Sequence, residues 1–420
     1  MKPKLLTTLQ DYSAKLFLAD ALAGVTVALV ALPLSIAIAI GSGAPPAAGL
    51  VTAIVGGFLI SALGGSRVQI GGPTGAFIVV VYGIIQQHGF DGLLLATLMA
   101  GVILVIGGLL RAGRLIALVP EAVIEGFTIG IAIIIGISQL KDLLGLSVGK
   151  VSTELFELLP ALWTARGTFN PYALAVGIAA IVIIAGLRKL APRFPGSIVA
   201  IGAASVAVAL LALPVDTIQS RFGALPGGLP FPALPPISIR LIGEMLPSAL
   251  VIAFLAGVES LLSAIVADRM IGSHHRSNAE LLAQGAANIV SPLFGGLPAT
   301  GAIARTATNV RAGGKTPVAG IIHAVLILVI TLAAAPLAGY LAMPALAALL
   351  IVTAWTMSEP GRWHERMTLR PADRLLLFLT MILTVASSLT VAIAVGTAIG
   401  LGQRLLRRNV KPAEWTPSDR

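Results

Sequence analysis

The sequence predicts an all-α polytopic membrane protein with fourteen membrane segments, arranged as two inverted sets of seven. Three observations carry that expectation. The chain is 57% hydrophobic and 11% charged, with a mean hydropathy of +0.97, whereas a soluble domain carries about 25% charge. Several apolar runs reach the roughly 20 residues that a helical span requires, and runs such as 246–266 lack the alternation of a membrane β-barrel strand. Finally, each half of the chain contains one apolar helix whose start is broken by glycine, proline and threonine.

The first run, residues 16–40, is too long for a signal peptide and has no convincing cleavage site, so it is read as a true span. Span 1 covers 20–41 and carries Pro33; span 2 covers 47–63. An extended piece, 68–70, then meets the break Gly71-Gly72-Pro73-Thr74-Gly75-Ala76-Phe77, and the helix behind it (74–85) is too short to cross a bilayer. Spans 4 (93–110), 5 (120–140), 6 (171–187) and 7 (195–213) follow, with an amphipathic interfacial patch at 152–163. Residues 214–245 read as a loop between the halves, rich in Pro and Gly.

The second half opens with span 8 (246–268), which carries Glu259, and span 9 (279–294). The second break is Gly295-Gly296-Leu297-Pro298-Ala299-Thr300-Gly301-Ala302-Ile303-Ala304-Arg305-Thr306, with a half-helix running to Arg311. Spans 11 (317–335), 12 (342–357), 13 (372–387) and 14 (389–406) complete the set. The organisation expected is a cytoplasmic N-terminus (1–15), a first repeat (16–213), a linker (214–245), a second repeat (246–406) and a cytoplasmic tail (407–420).

The net charge of +10 follows this topology rather than a nucleic-acid surface, since no basic module interleaved with aromatics exists. With the N-terminus inside, Lys141, Lys150, Arg166, Arg221 and Arg240 fall outside, and Arg305 falls within the membrane. The other 22 of the 28 lysines and arginines are cytoplasmic, a strong positive-inside bias. Seven spans per half make the halves enter from opposite sides, the pattern of inverted-repeat transporters whose discontinuous helices meet near the midplane. Cysteine is absent, which excludes disulfides and thiol chemistry.

A helix start leaves backbone N–H groups unpaired and carries partial positive charge, so two starts brought together form an anion site. Thr74 and Thr300 are placed to cap those helices or to donate hydroxyls to a ligand. Arg305 adds a permanent charge and a planar donor fork suited to oxyanions; the plainer alternative is an arginine paired to a carboxylate or capping carbonyls. Glu259 is the one carboxylate well inside a span, either a coupling site that takes a proton or a partner for Arg305. Glu121 and Glu125 share a helix face and fit a structural or gating role. His274 and His275 read as a solvated loop, a poor metal signature, and His323 reads as a packed or hydrogen-bonded residue of span 11. No nucleophile–base pair, phosphate loop or metal spacing points to an enzyme or a cofactor.

Several pieces together resemble a known family. They are Asp20-Ala21-Leu22-Ala23-Gly24, Ala31-Leu32-Pro33-Leu34-Ser35-Ile36-Ala37, Pro45-Pro46-Ala47-Ala48-Gly49-Leu50 and Gly64-Gly65-Ser66-Arg67. The Gly71–Gly75 break and the run Arg305-Thr306-Ala307-Thr308-Asn309-Val310-Arg311-Ala312-Gly313-Gly314-Lys315-Thr316-Pro317 complete the set. In this order they resemble the SulP sulfate permeases, relatives of the animal anion exchangers and prestin.

The resemblance implies the uracil-permease-like fold, with a core domain of spans 1–4 and 8–11 and a gate domain of spans 5–7 and 12–14. It implies substrate binding between half-helices 3 and 10 and an elevator-like motion of the core. Carried over, Thr74, Gly75 and Ala76 with the adjoining Phe77, and Ala302, Ala304 and Arg305 with the intervening Ile303, form the substrate site. Glu259 and Ser263 fall at the ion-coupling positions. Sodium-coupled bicarbonate members have Asp and Thr there, which favours protons over sodium in this chain. Many members have Glu or Gln where Leu34 stands, so a polar contact is missing; the tyrosine often found around Gly49-Leu50 is missing too. The family's usual C-terminal STAS domain is not expected within these 420 residues, and a homodimer is compatible with the resemblance.

The expected function is proton-coupled secondary transport of a small anion (sulfate, bicarbonate or a dicarboxylate) across a bacterial cytoplasmic membrane. A passive anion channel or exchanger and a nucleobase transporter of the same fold are the alternatives. A permanent cation at Arg305 disfavours the nucleobase.

Overall fold

The computed structural model describes residues 2–113, 120–149, 155–191, 194–387 and 389–406. The predicted tail 407–420, the start of the interfacial patch and the cations Arg114, Lys150 and Arg193 lie outside them.

Helix α1 (Ala14–Gly41) starts where the Ser13 hydroxyl accepts the Leu16 N–H, and Pro33 is accommodated inside it. A turn with Gly43 at φ 70 leads into α2 (Pro46–Leu63), which opens with proline and widens into a π-turn over Thr52–Gly56. Strand β1 is Gly71–Gly72. The helix behind it, Ile78–Leu109 with a 3-10 turn at Gly75–Phe77, is broken at Gly89 (φ 72). It is therefore two elements, α3 (75–88) and α4 (90–109). Glycine at 89 permits the left-handed break that separates them.

Next come α5 (Glu121–Leu143), α6 (Pro171–Leu190) and α7 (Gly196–Leu210), with a short amphipathic helix, Leu155–Thr164, before α6. Helix α8 (Ile239–Ile271) starts earlier than the sequence suggests, so residues 239–245 belong to it rather than to the linker. Ser238 caps its first turn through Leu241 N–H, and Arg240 bonds Glu244 one turn on at 2.8 Å. The linker itself holds a helical turn, Ile218–Phe222, whose capping box (Thr217, Ser220) supplies the missing backbone partners. Then follow α9 (Ser277–Leu293), β2 (Thr300–Gly301), α10 (Ile303–Arg311), α11 (Val318–Ala338), α12 (Met343–Met357), α13 (Pro371–Ala386) and α14 (Leu389–Leu406).

Seven of the described helices are long and apolar enough to cross a membrane. Large apolar side chains face outward along them, Leu22, Val182, Leu250 and Leu332 among others, as lipid-facing surfaces require. With lipid outside, helix association rests on close backbone approach rather than on hydrophobic exclusion. Gly101 of α4 packs on the α9 backbone at Asn288 and Ile289, and Gly285 of α9 packs on the Gly101 carbonyl. A side chain on either would separate the two helices. α9 lies along the α3–α4 pair, α11 along α1, α13 along α5, and α6 against α12.

Polar anchors hold the ends. Asp20, fully buried, accepts the Lys315 and Thr316 N–H groups at 2.7 and 3.0 Å, the Thr316 hydroxyl and the Tyr12 hydroxyl. Burial and the Asp20 carboxylate push the Tyr12 hydroxyl up to about 12, so it remains a donor at neutral pH. At another end Arg366, 4% exposed, bonds Glu125, Glu359 and the Ser358 carbonyl, and Arg362 bonds Glu125 as well. Glu121 and Glu125 therefore tie α5 to the α12–α13 loop. Arg221 bridges Asp142 and Asp216 and so fixes the linker to the end of α5.

Asp20→Asn places an amide donor among four donors. It is expected to lower stability by about 2–3 kcal/mol, read as a fall in thermal midpoint of the purified protein in detergent.

Candidate functional site

The two glycine-proline breaks meet. β1 and β2 pair antiparallel, Gly71 opposite Gly301 and Gly72 opposite Thr300, and Ala302 N–H extends the ladder to the Ile70 carbonyl at 2.9 Å. Gly72 has φ 143, a conformation for glycine, and a side chain there would strike Arg305 Nη1. A side chain on Gly301 would strike the Gln69 amide. The strand pair is therefore possible only because three of its four members, all but Thr300, are glycines.

Extended backbone in an apolar interior must find its hydrogen bonds in the protein, and helices on all sides supply them. From α10, Asn309 Nδ2 donates to Val68 O (2.8 Å), the Thr306 hydroxyl accepts Ile70 N–H (3.1 Å), and Arg305 donates to the carbonyls of Gly71 (Nη1, 3.4 Å) and Pro73 (Nη2). From α8, Ser260 accepts the Gln69 amide at 2.9 Å and the Ala256 carbonyl accepts the Thr300 hydroxyl at 2.9 Å. Asn288 of α9 bonds both N–H and C=O of Ala299, at 2.9 and 2.8 Å. Thr52, in the π-turn of α2, accepts Leu297 N–H at 2.6 Å. Behind them Glu280, fully buried, accepts Gly65 and Ser66 N–H, the Ser260 hydroxyl and the Gln284 amide.

Both helix N-termini abut this strand pair. In α10 the first helical bond is Thr306 N–H to Ala302 O, so the amides of Ile303, Ala304 and Arg305 precede it, and no side chain caps them. In α3 the first bond is Phe77 N–H to Thr74 O, ahead of which stand Gly75 and Ala76, again without a side-chain cap. Ile303 and Ala304 are exposed and Ala76 half-buried, whereas Thr74, Gly75, Phe77, Ala302 and Arg305 are buried. The Gly75 position is closed by Met357 of α12, whose sulfur is 3.0 Å from where a side chain would begin, and more loosely by Ile135 of α5.

Several expectations change. Thr74 and Thr300 cap neither helix: Thr74 donates its hydroxyl to Glu259 Oε2 at 2.9 Å, and Thr300 is spent on α8. Glu259, half-buried, makes that bond and, among the described residues, no ion pair with Arg305. Arg305 instead caps strand carbonyls, which was the plainer alternative, with its Nε left without a partner among the described residues. Ser263, one turn after Glu259, is buried against the Thr306 hydroxyl at 3.1 Å and so belongs to the strand scaffold. His275 is not solvated: its Nδ1 lies 2.7 Å from Asp268, and its side chain is 2% exposed. His323 is fully buried, and neither ring nitrogen meets hydrogen-bond geometry with a partner among the described residues.

Sequence reasoning missed Gln69, Ser260, Glu280, Gln284, Asn288, Thr306 and Asn309. A signal existed, for Glu280, Gln284 and Asn288 recur every fourth residue, one polar stripe on an otherwise apolar helix. Met357 and Ile135 left none.

A helical membrane protein whose two interrupted helices present uncapped N-termini, beside a buried arginine and a carboxylate, has the makings of a carrier for a small anion. Comparison with known proteins makes this specific. The chain matches the Sulfate permease family over residues 17–380 and belongs to that family. It is 44% identical over 393 residues to a Bacillus subtilis protein named for sulfate transport, covering 92% of this chain and 73% of that one. It is 32% identical to the bicarbonate transporter BicA of Picosynechococcus, covering 90% of this chain and 69% of the relative. The solved transmembrane domain of a cyanobacterial BicA superposes with a TM-score of 0.80 at 29% identity, covering 93% of this chain and 98% of that one. The chain is thus a multi-pass membrane transporter of an anion-transporting family, not an enzyme.

Asn288→Ala leaves both polar groups of Ala299 unpaired. It is expected to cost about 1–3 kcal/mol in thermal unfolding and to weaken anion binding with it, while Asn288→Asp, which turns a buried carboxylate oxygen toward the Gln284 and Ala299 carbonyls, loses at least as much.

Proposed function

We propose that this chain is a secondary active transporter of a small oxyanion (sulfate, bicarbonate or a dicarboxylate), driven by protons. The observation that carries the reading is the strand pair flanked by two uncapped helix N-termini, with Arg305 and the Thr74–Glu259 bond beside it. The amides of Ile303, Ala304, Gly75 and Ala76 and the Arg305 fork provide donors for an anion, and positive dipole ends favour its charge. The names of the relatives, one for sulfate and one for bicarbonate, support the substrate class.

Coupling runs through Glu259. Ionised, it accepts the Thr74 hydroxyl at the mouth of α3 and opposes an anion arriving there. A proton removes that repulsion, so anion and proton are favoured together, and Ser263 supports the arrangement through Thr306. The reading takes the fourteen segments as two inverted repeats, 16–213 and 246–406, both termini facing the cytoplasm of a bacterial cell. The packing of α9 on α3–α4 and of α11 on α1, against that of α13 on α5 and of α6 on α12, supports a core of α1–α4 and α8–α11 beside a gate of α5–α7 and α12–α14. Met357 and Ile135, at the gate side of Gly75, are where an elevator-like displacement of the core would open the site.

Uptake of labelled sulfate and bicarbonate into proteoliposomes tests this. An inward proton gradient is expected to raise the rate, Arg305→Ala to lower it at least about tenfold, and Glu259→Gln to abolish the response to the gradient. Wild-type uptake indifferent to the gradient would overturn the coupling, and full activity in Arg305→Ala would overturn the site.

A further inference from the structure

Among the described buried polar side chains around the strand pair, His323 of α11 is the titratable one with neither a part in the proposed cycle nor, unlike Glu280, a set of bonds to the scaffold. It is fully buried, and neither ring nitrogen meets a protein hydrogen-bond partner among the described residues. An imidazole carries a donor and an acceptor when neutral, and an apolar interior makes both costly to leave unused. Such a group is either a liability or a partner in a second arrangement.

Its position favours the second. The point at which a side chain on Gly57 of α2 would begin lies 3.6 Å from His323 Cε1 and 3.1 Å from the Gly71 carbonyl oxygen. Ring and carbonyl therefore flank one gap, and that gap exists because residue 57 is a glycine. One turn earlier on α11, Gly320 packs on Ile70, the residue before β1. The Gly71 carbonyl is the one that Arg305 Nη1 holds at 3.4 Å, long for a charge-assisted bond, which is usually about 2.7–2.9 Å. The nearest competitor for the ring is the Gly320 carbonyl, one turn back on α11; residues 46–63 of α2 contain no titratable side chain, and Asp20 of α1 is spent on Lys315 and Thr316.

We propose that His323 is a positioning residue for the anion cycle: its ring N–H takes the Gly71 carbonyl when Arg305 turns its fork to the bound anion. The proposal rests on Arg305 being the anion-binding cation. An anion drawn to Arg305 competes with the strand carbonyls for the same donors. Releasing Gly71 without a replacement would leave a bare carbonyl in the apolar interior and loosen the β1–β2 register on which both helix N-termini depend. With His323 behind the strand, the bond is exchanged instead of lost, and Gly57 keeps the path between them clear.

The test uses the full chain, purified and reconstituted in nanodiscs, with nitrogen-15 in its histidines. The sequence has five histidines, and the spectrum of His323→Gln identifies the signals of the fifth. Titration with sulfate and with bicarbonate is expected to shift the His323 ring signals saturably for whichever anion is transported. In proteoliposomes, His323→Leu is expected to raise the uptake KM about tenfold with kcat little changed. His323→Gln, which retains an N–H donor, should recover most of the affinity. Ring signals that stay fixed while uptake is saturable would overturn the proposal, and so would a wild-type KM in His323→Leu. Absence of saturable uptake in the wild type would instead overturn the anion reading of Arg305, and this proposal with it. Where His323→Gln fails to fold, replacing His88, His274, His275 and His364 in turn assigns the His323 signals by elimination and keeps the test decisive.

Discussion

Two short stretches of extended backbone inside an apolar protein are the constraint on which the rest of the structure depends. Helices satisfy their own N–H and C=O groups; strands of two residues do not, and lipid offers nothing in exchange. The strand pair Gly71–Gly72 with Thr300–Gly301 satisfies a few of these groups. The remainder reach out to side chains on α2, α8, α9 and α10. That requirement accounts for the buried Thr52, Ser260, Asn288, Thr306 and Asn309, each of which would be an expensive choice in a purely apolar core. It also accounts for Glu280, which gathers four donors and so is acceptable as a buried carboxylate.

Arg305 stands at the junction between this scaffold and the site. Its guanidinium holds the carbonyls of Gly71 and Pro73 from a helix whose own first amides are unpaired. A fixed cation thus stabilises the break and supplies the charge that, on the proposed reading, draws the anion. The same donors cannot serve both tasks at full strength, which makes occupancy of the site and the integrity of the strand pair interdependent. Glu259 stands in a similar position, since its bond to Thr74 joins the α3 start to α8 and, on the proposed reading, its charge opposes an anion there until it takes a proton.

Away from the strand pair, charge gathers where helices end. Asp20 fastens the start of α11, Arg366 and Glu125 fasten the α12–α13 loop to α5, and Arg221 fastens the linker to α5. Between these ends the contacts are apolar and close, made by glycines such as Gly101 and Gly285 that let backbones touch. Such packing groups the helices closely and leaves a few polar fastenings between their ends, which is compatible with the displacement of one group past another that the proposed function requires.

Much was legible in the sequence because its causes are local. Long apolar runs can only be membrane helices, Gly-Gly-Pro and Gly-Leu-Pro can only interrupt them, and Arg305 and Glu259 stand out because ionisable groups inside a span are costly. The stripe Glu280, Gln284, Asn288 was equally visible and would have pointed to a buried polar seam. Partnership was not visible. Nothing local distinguishes a Thr74 that caps a helix from one that meets a carboxylate 185 residues away, or an Arg305 free for a ligand from one that holds carbonyls 232 and 234 residues away. His275 and Asp268, Ser263 and Thr306, and the placing of His323 and the Gly71 carbonyl around Gly57 were decided in the same way. By itself, then, the sequence determined the spans, the breaks and the residues that carry charge, through burial costs that each segment bears alone. The tertiary structure decided which donor meets which acceptor, because hydrogen bonds act over about 3 Å and only the packed fold brings distant residues that close.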